Sequence, residues 1–120
     1  MACQIDKHER ARLEARAKVF KALAHPTRLF IVDQLTHGEC CVRELAEMVG
    51  ADISTVSRHL SLLKSVGAIS DEKRGSQVYY RLQMPCVLGF FECVEAVIQT
   101  AAEEQMDLAA PRCTRTGLKR

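Results

Sequence analysis

The sequence predicts a mainly α-helical domain with one small β-hairpin, in the order α-α-α-α-β-β-α. Apolar residues recur at helical spacing over most of the chain, glycine or proline separates these stretches, and one alternating segment surrounds a short glycine-containing turn. With 120 residues, 48% of them hydrophobic, the chain is expected to form a single domain over 1–120. Its core is expected at about 7–105, followed by a flexible basic tail at 106–120.

The first two predicted helices meet at a His-Pro pair. A helix is expected over 7–23, where charges cover the face opposite the apolar one. His25 ends this helical stretch, because a residue before proline avoids the helical conformation, and Pro26 suits the first turn of the next helix. Gly38 is expected to end the second helix. The predicted inner residues are Leu13, Ala17, Phe20 and Leu23 in the first helix, and Leu29, Val32 and Leu35 in the second.

Two shorter helices follow, separated by a glycine. The third is expected over 42–49 and stops at Gly50, whereas Asp52 is a good N-cap for a fourth helix over 53–65. Gly67 should terminate this fourth helix. The predicted inner residues are Leu45, Met48 and Val49 in the third helix, and Val56, Leu60 and Leu63 in the fourth.

A hairpin and a long helix complete the order. Strands are expected over 68–73 and 77–82, around the turn signal Arg74-Gly75-Ser76, and Pro85 should open the last helix. The apolar stripe of that helix is predicted to contain Val87, Phe90, Phe91, Val94, Val97, Ile98 and Ala101. Two short helices joined by a glycine-containing turn and followed by a hairpin are typical of a winged helix-turn-helix.

Charge is distributed unevenly along the chain. The formal net charge is only +2, but the segment 53–81 carries five basic and two acidic residues. A local basic surface suits nucleic acid, although charge alone fits an ordinary solvated surface equally well. The sequence lacks the pattern of a signal peptide or membrane span, so we expect a cytoplasmic location, no membrane partner and six reduced cysteines.

The fourth helix carries short polar side chains near its N-terminus, between the apolar positions. Hydroxyl groups allow close approach to phosphates and base edges, and Arg58 could donate two hydrogen bonds to guanine in the major groove. Lys73 and Arg74, at the predicted hairpin tip, could contact the backbone or minor groove, or only protect a sheet edge. His59 could equally pack internally. The predicted DNA-contacting residues are Ser54, Thr55, Ser57, Arg58, His59, Lys73 and Arg74.

Three runs resemble the ArsR/SmtB family of metal- and thiol-responsive repressors. They are "ALAHPTRLFIV", "GECCVRELAEMVGADISTVSRHLSLLKSVGAI" and "DEKRGSQVYYRL", and the resemblance covers about 19–98. It implies a homodimer whose first and last helices pack across the two-fold axis. It also implies binding to an inverted-repeat operator in double-stranded DNA, release by an inducer, and reading of the major groove by Ser54, Ser57 and Arg58.

The cysteines are the candidate sensor residues. One sensor site of that family resembles Cys-Val-Cys-Asp-Leu, whereas this chain has Cys41-Val42-Arg43-Glu44-Leu45, with Cys40 as an additional neighbour. Cys3, Cys40 and Cys41 together would suit a pyramidal three-thiolate ion. Alternatively, Cys40 or Cys41 only packs as a small apolar residue.

A second family site uses Asp, His and Glu in the last helices. The matching positions here are Met84, Cys86, Val97 and Thr100, so this site is not expected in its usual form. Cys86 and Cys93 would lie roughly 10.5 Å apart along a regular helix. They could bind an ion only with a distorted first turn or the other subunit, and could instead be buried interface cysteines. Cys113 is expected to be incidental.

The leading hypothesis is a DNA-binding repressor released by As(III) or Sb(III), less readily by Cd(II), Pb(II) or Zn(II), because thiolates select soft ions. A redox- or persulfide-sensing repressor and a dimeric helical interaction module without DNA binding are the alternatives. No constitutive cofactor is expected. An enzyme is not expected either, since no phosphate loop, oxyanion feature or paired-carboxylate pattern accompanies the cysteines.

Overall fold

A computed structural model of the protein describes residues 4–109, and their side chains as far as residue 106. The elements in chain order are α1 (Lys7–Leu23), α2 (Pro26–Leu35), β1 (Cys40–Cys41), α3 (Val42–Val49), α4 (Ile53–Ser65), β2 (Ile69–Arg74), β3 (Gln77–Leu82) and α5 (Val87–Ala109). This order confirms the predicted fold class and adds one short strand that the sequence did not predict. Within the described residues, no helix combines the length and apolarity that crossing a membrane requires.

Local capping explains where the helices begin and end. The side chain of Asp52 accepts a hydrogen bond from the Thr55 N–H at 3.1 Å, which confirms the predicted N-cap of α4. Nδ1 of His25 caps α2 in the same way, accepting from the Thr27 N–H at 3.1 Å. Gly50 ends α3 in the left-handed conformation, with φ 80°.

Three predicted boundaries were wrong by a few residues. Helix α2 ends at Leu35, where Thr36 caps it, and so stops before Gly38. Strand β2 extends through Arg74, which pairs with Gln77 and leaves Gly75 (φ 65°) and Ser76 as the turn. Helix α5 begins at Val87, two residues after the proline that was predicted to open it.

The three strands form an antiparallel sheet in the order β1-β3-β2. Strand β1 is only two residues long, and its Cys40 and Cys41 pair with Tyr80 and Tyr79 of β3. We call β2 and β3 the wing. Strand β1 immediately precedes α3, and its pairing with β3 joins that part of the chain to the wing.

The core of the 1–85 unit joins α2, α3, α4 and β2. The predicted inner residues of α4 are all confirmed as fully buried. Two other predictions were wrong: Leu29 is 38% exposed and Met48 is 42% exposed, whereas Ile31 and Ala46 are buried in their helices. Each of these helices presents a residue two positions away to the core instead. The fully buried side chains are Ile31, Val32, Leu45, Val56, Leu60, Leu63 and Ile69.

Helix α1 contributes less to this core than its periodicity predicted. Leu23 and Ala22 at its C-terminal end are buried, but Leu13, Ala17 and Phe20 are exposed. Most of the predicted inner face of α1 is therefore open in the single chain.

The chain divides into two compact units, 1–85 and 86–120. Within the second unit, α5 buries Val87 but exposes Phe90, Val94, Val97 and Ile98. The predicted apolar stripe thus exists on α5 and is largely exposed in one copy of the chain.

Candidate nucleic-acid interface and cysteine sites

The exposed side of α4 carries most of the residues predicted to contact DNA. Ser54 and Arg58 are exposed, and Thr55 and Ser57 are half-buried. Residues four apart on a helix are neighbours, so Ser54 and Arg58 lie on one face. The opposite side of α4 is anchored in the core by Val56, Leu60 and Leu63, which leaves the polar side accessible.

Asp52 organises the beginning of this surface. Its carboxylate accepts a hydrogen bond from the Thr55 N–H and another from the Ser54 hydroxyl, at 3.2 Å. The hydrogen bonds from Thr55, then the one from Ser54, hold the pKa of Asp52 below its ordinary value. Since the Ser54 proton points to Asp52, the outward side of its oxygen offers lone pairs to a ligand.

His59 lies apart from the exposed residues of α4. Its half-buried ring lies 4.7 Å from the ring of His25, measured between centroids, and its Nδ1 lies 3.3 Å from Nη1 of Arg28. The Arg28 Nε also donates to the Ala22 carbonyl. Burial, followed by the charges of His25, Arg28 and Arg58, lowers the pKa of His59. This geometry places His59 in the junction between α1, α2 and α4.

The wing carries Lys73 and Arg74, both exposed, next to its turn. Arg74 makes ion pairs with Glu39 at 2.9 Å and Glu72 at 2.8 Å, and its guanidinium lies 4.9 Å above the Tyr79 ring. Arg81 pairs with the same two carboxylates, at 2.8 Å and 3.5 Å. We call Glu39, Glu72, Arg74 and Arg81 the wing cluster.

This pairing weakens the basic surface that the sequence predicted. Lys64 is also paired, with Asp71 at 3.0 Å. Among the basic residues of 53–81, only Arg58 and Lys73 make no ion pair with any described residue. Counting charges within 53–81 missed Glu39, which lies outside that segment and which the fold brings to the wing.

Cys40 and Cys41 lie side by side in the chain but not on one side of β1. Neighbouring residues of a strand point to opposite faces. Cys41 is buried and begins α3, where its N–H donates to Oε1 of Glu44 at 2.9 Å. Cys40 is half-buried, and its burial, then the charges of Glu44 and Cys41, raise the pKa of its thiol. The structure therefore does not present the two thiols as a preformed pair.

Cys40 opens onto a cleft of about 390 Å³ between α2 and α3. The cleft is lined by Gln34, His37, Gly38, Glu39, Cys40, Glu44, Glu47 and Met48. Within residues 4–106, however, no three His, Cys, Asp or Glu side chains are arranged to hold a metal ion. Cys3 lies outside the described residues, so the predicted trio with Cys40 and Cys41 is described only in part.

Cys86 and Cys93 belong to the second unit, and both are exposed. Cys86 lies immediately before α5, whereas Cys93 lies within that helix. Cys86 is therefore outside the regular helix, which fits the irregular first turn that a shared site would need. Cys113 lies outside the described residues.

Comparison with known proteins points to one family. Residues 25–71, from the N-cap of α2 to β2, match the model described as "Bacterial regulatory protein, arsR family". The HTH-type transcriptional repressor SmtB of Mycobacterium tuberculosis is 40% identical over 70 residues, which cover 58% of this chain and 52% of SmtB. The cadmium resistance transcriptional regulatory protein CadC homolog of Staphylococcus aureus is 37% identical over 95 residues, covering 78% and 73% of the two chains.

A solved structure supports the same fold. It is the fragment of Mb0332 from Mycobacterium bovis described as a homodimeric winged helix-turn-helix DNA-binding domain. It is 36% identical, with a TM-score of 0.66, and the match covers 89% of this chain and 94% of that one. This match confirms the winged helix-turn-helix prediction. The chain spans about half the length of the first curated relatives it matches, and those relatives are named as transcriptional regulators rather than enzymes.

Proposed function

Since this chain belongs to the arsR family of bacterial regulatory proteins, we propose that it is a cytoplasmic, homodimeric repressor that binds operator DNA. The observation that carries the proposal is the two-sided character of α4. One side is fully buried in the core, and the other exposes Ser54 and Arg58. A helix of this kind can enter the major groove without losing its own packing.

The polar residues near the N-terminus of α4 have distinct roles in this proposal. Arg58 donates two hydrogen bonds to a guanine, because its guanidinium makes no ion pair with a described residue. Ser54 accepts a hydrogen bond from an adenine or cytosine amino group, because its own proton is given to Asp52. Thr55 and Ser57 face the walls of the major groove beside Ser54 and Arg58. The negative charge of the Asp52 carboxylate disfavours a phosphate at the N-terminus of α4.

The wing contacts the DNA backbone or minor groove through Lys73 and Arg74. A homodimer would place two copies of α4 in successive major grooves, about 34 Å apart along the duplex. The operator is therefore expected to be an inverted repeat, with 1–120 acting as one domain in each protomer.

We propose that a thiophilic ion releases this repressor, with As(III) or Sb(III) ahead of Cd(II), Pb(II) or Zn(II). The name of the cadmium resistance relative supports a soft ion. The candidate ligands are Cys40, Cys41, Cys86 and Cys93, with Cys3 as a further candidate. Because Cys40 and Cys41 point to opposite faces, turning both thiols to one ion would require β1 to leave β3, which would disturb the wing.

A thiol switch is the second candidate function, and the exposure of Cys86 and Cys93 favours it. Exposed thiols are accessible to oxidants and persulfides. In this case a covalent change beside or within α5 would replace ion binding as the signal.

The test of DNA binding begins with selection of an operator from random duplexes, followed by titration at several salt concentrations. Arg58→Ala should cost about 1–3 kcal/mol of discrimination at one base pair. Lys73→Gln should leave base preference unchanged and reduce the salt slope by about 0.9. Lys18→Gln, on the exposed side of α1, is the matched charge control. If Arg58→Ala and Lys73→Gln both bind like the wild type, or no duplex binds in a salt-dependent way, the chain is better described as an interaction module.

The inducer is tested by releasing operator with As(III), Cd(II), Zn(II) and an oxidant, for single Cys→Ser variants. Loss of ion response in Cys40→Ser or Cys41→Ser would support a site at β1. Loss of the ion response only in Cys86→Ser or Cys93→Ser would instead support a site in the second unit. Release by oxidant but by no ion would replace the ion hypothesis with the thiol switch.

A further inference from the structure

The wing cluster connects all three strands of the sheet. Glu39 immediately precedes β1, Glu72 and Arg74 lie on β2, and Arg81 lies on β3. Since Cys40 pairs with Tyr80, the antiparallel register places Glu39 opposite Arg81. Glu39 is thus the one member of the cluster that lies outside the hairpin and next to a cysteine.

Glu39 occupies the hydrogen-bonding groups that Arg74 would offer to DNA. Its Oε1 lies 2.9 Å from Nη1 of Arg74, and its Oε2 accepts from Nη2 of Arg74 at 3.1 Å. This two-point contact is the arrangement in which a guanidinium also binds phosphate. The same Oε2 accepts from Nε of Arg81 at 3.0 Å, so one carboxylate serves both arginines.

Arg74 and Arg81 together influence the charge state of Glu39. Hydrogen bonds from Arg74, then Arg81, hold the pKa of Glu39 below its ordinary value, so Glu39 stays ionised near neutral pH. All four side chains are exposed, and exposed ion pairs exchange partners at little cost. A phosphate can therefore displace Glu39 from Arg74 without unfolding the wing.

We propose that Glu39 is a positioning residue of the wing that competes with DNA phosphate for Arg74. The inference rests on the proposed DNA binding. In the free protein Glu39 holds Arg74 over the sheet and neutralises it; on DNA a phosphate takes its place, and Glu39 keeps Arg81. Because Glu39 adjoins Cys40, any change that displaces β1 also changes how firmly Arg74 is held.

The test compares Glu39→Gln with the wild type in binding to a duplex of unrelated sequence across a range of salt. Removing the competitor should tighten binding at low salt by about twofold to fivefold, the range one exposed ion pair can supply. The salt slope should stay close to the wild-type value, because a phosphate contacts Arg74 in both complexes. A loss of wing structure alone would weaken binding and flatten the slope.

Three controls separate this effect from simpler ones. Glu47→Gln removes one exposed carboxylate from α3, outside the ion pairs of the described residues, and should change binding less. In an Arg74→Gln background, Glu39→Gln should have no further effect. Glu39→Asp retains the charge with a shorter reach, and should bind more tightly than the wild type but less tightly than a folded Glu39→Gln.

The outcomes are distinguishable. Equal or weaker binding by Glu39→Gln, or the same gain in the Arg74→Gln background, would overturn the role of Glu39 while leaving DNA binding intact. A wild-type chain that binds no duplex would instead remove the proposed function itself.

Discussion

Asp52 shows how one side chain can serve stability and recognition together. It caps α4 through the Thr55 N–H and fixes the proton of Ser54, two residues later. The cap was predictable from sequence, because an aspartate before an apolar periodic run is a local signal. The orientation of the Ser54 hydroxyl was not, since it depends on side-chain geometry within the first turn.

Asp52→Ala should lower the thermal midpoint, whereas Asp52→Asn should retain most of the stability, because asparagine is an equally good N-cap. The lowered pKa of Asp52 sets the pH dependence: its contribution is present above the unfolded-state pKa and is lost as pH falls through the lower folded-state value. The melting midpoints of wild type and Asp52→Ala should therefore converge on acidification, whereas Asp52→Asn, whose side chain does not titrate, should keep its advantage over Asp52→Ala. A difference in thermal midpoint between wild type and Asp52→Ala that grows as the pH falls would contradict this account.

His59 also makes the stability of the protein depend on pH. Unlike Asp52, which is negative when ionised, His59 is positive when protonated. Its lowered pKa means that the unfolded chain binds its proton more readily than the folded one. Stability should therefore decrease as pH falls below about 6.5, the ordinary histidine value. In His59→Gln this decrease should be smaller, as followed by urea unfolding between pH 5 and pH 8. Exposed His37 is the control, and an equal flattening in His37→Gln would argue against a special role for the junction.

His59 and Glu39 were difficult to place from sequence for the same reason. Their partners lie far away along the chain, at Arg28 and Arg74, and no periodic pattern links such positions. The sequence predicted which residue types lie on α4 and the wing. It did not predict which of them the fold neutralises or buries.

At the scale of an element, α4 depends on a narrow apolar stripe. Leu60 is completely buried, whereas Leu62, two residues later, is 42% exposed. Leu60→Ala should lower the free energy of unfolding by about 2–5 kcal/mol, because it removes buried methyl groups and leaves a cavity. Leu62→Ala should change it by only about 0.5 kcal/mol. Urea unfolding at equal protein concentration measures both, and equal losses would contradict the observed orientation of α4.

Strand β1 is the element that the sequence could not reveal. Two residues are too few to show alternation, and the strand exists because β3 offers an unpaired edge to Cys40 and Cys41. The helices, in contrast, were predicted well, since each combines a long periodic pattern with a cap or a glycine. The errors at Leu29 and Met48 arose where apolar residues occupy more than one face and packing selects among them.

At the scale of the whole molecule, α5 presents an exposed apolar face. Phe90, Val94, Val97 and Ile98 are all exposed in one copy, and contiguous exposed apolar surface usually marks an interaction site. The solved relative is described as homodimeric, which supports the proposal that a second copy covers this face. The sequence predicted this stripe, but its periodicity alone does not distinguish a core face from a subunit interface.

Ile98→Arg should therefore convert the proposed dimer into monomers, because it places a charge on the exposed apolar face. Gln99→Arg, on the opposite side of α5, adds the same charge next to Glu103 and should leave the dimer intact. Sedimentation velocity distinguishes the two states. Because two half-sites must be bound together, the monomer should lose operator affinity while retaining weak, salt-dependent binding to unrelated duplex. A dimeric Ile98→Arg protein would mean that α5 does not form the interface, and the two copies of α4 would have to be spaced by another surface.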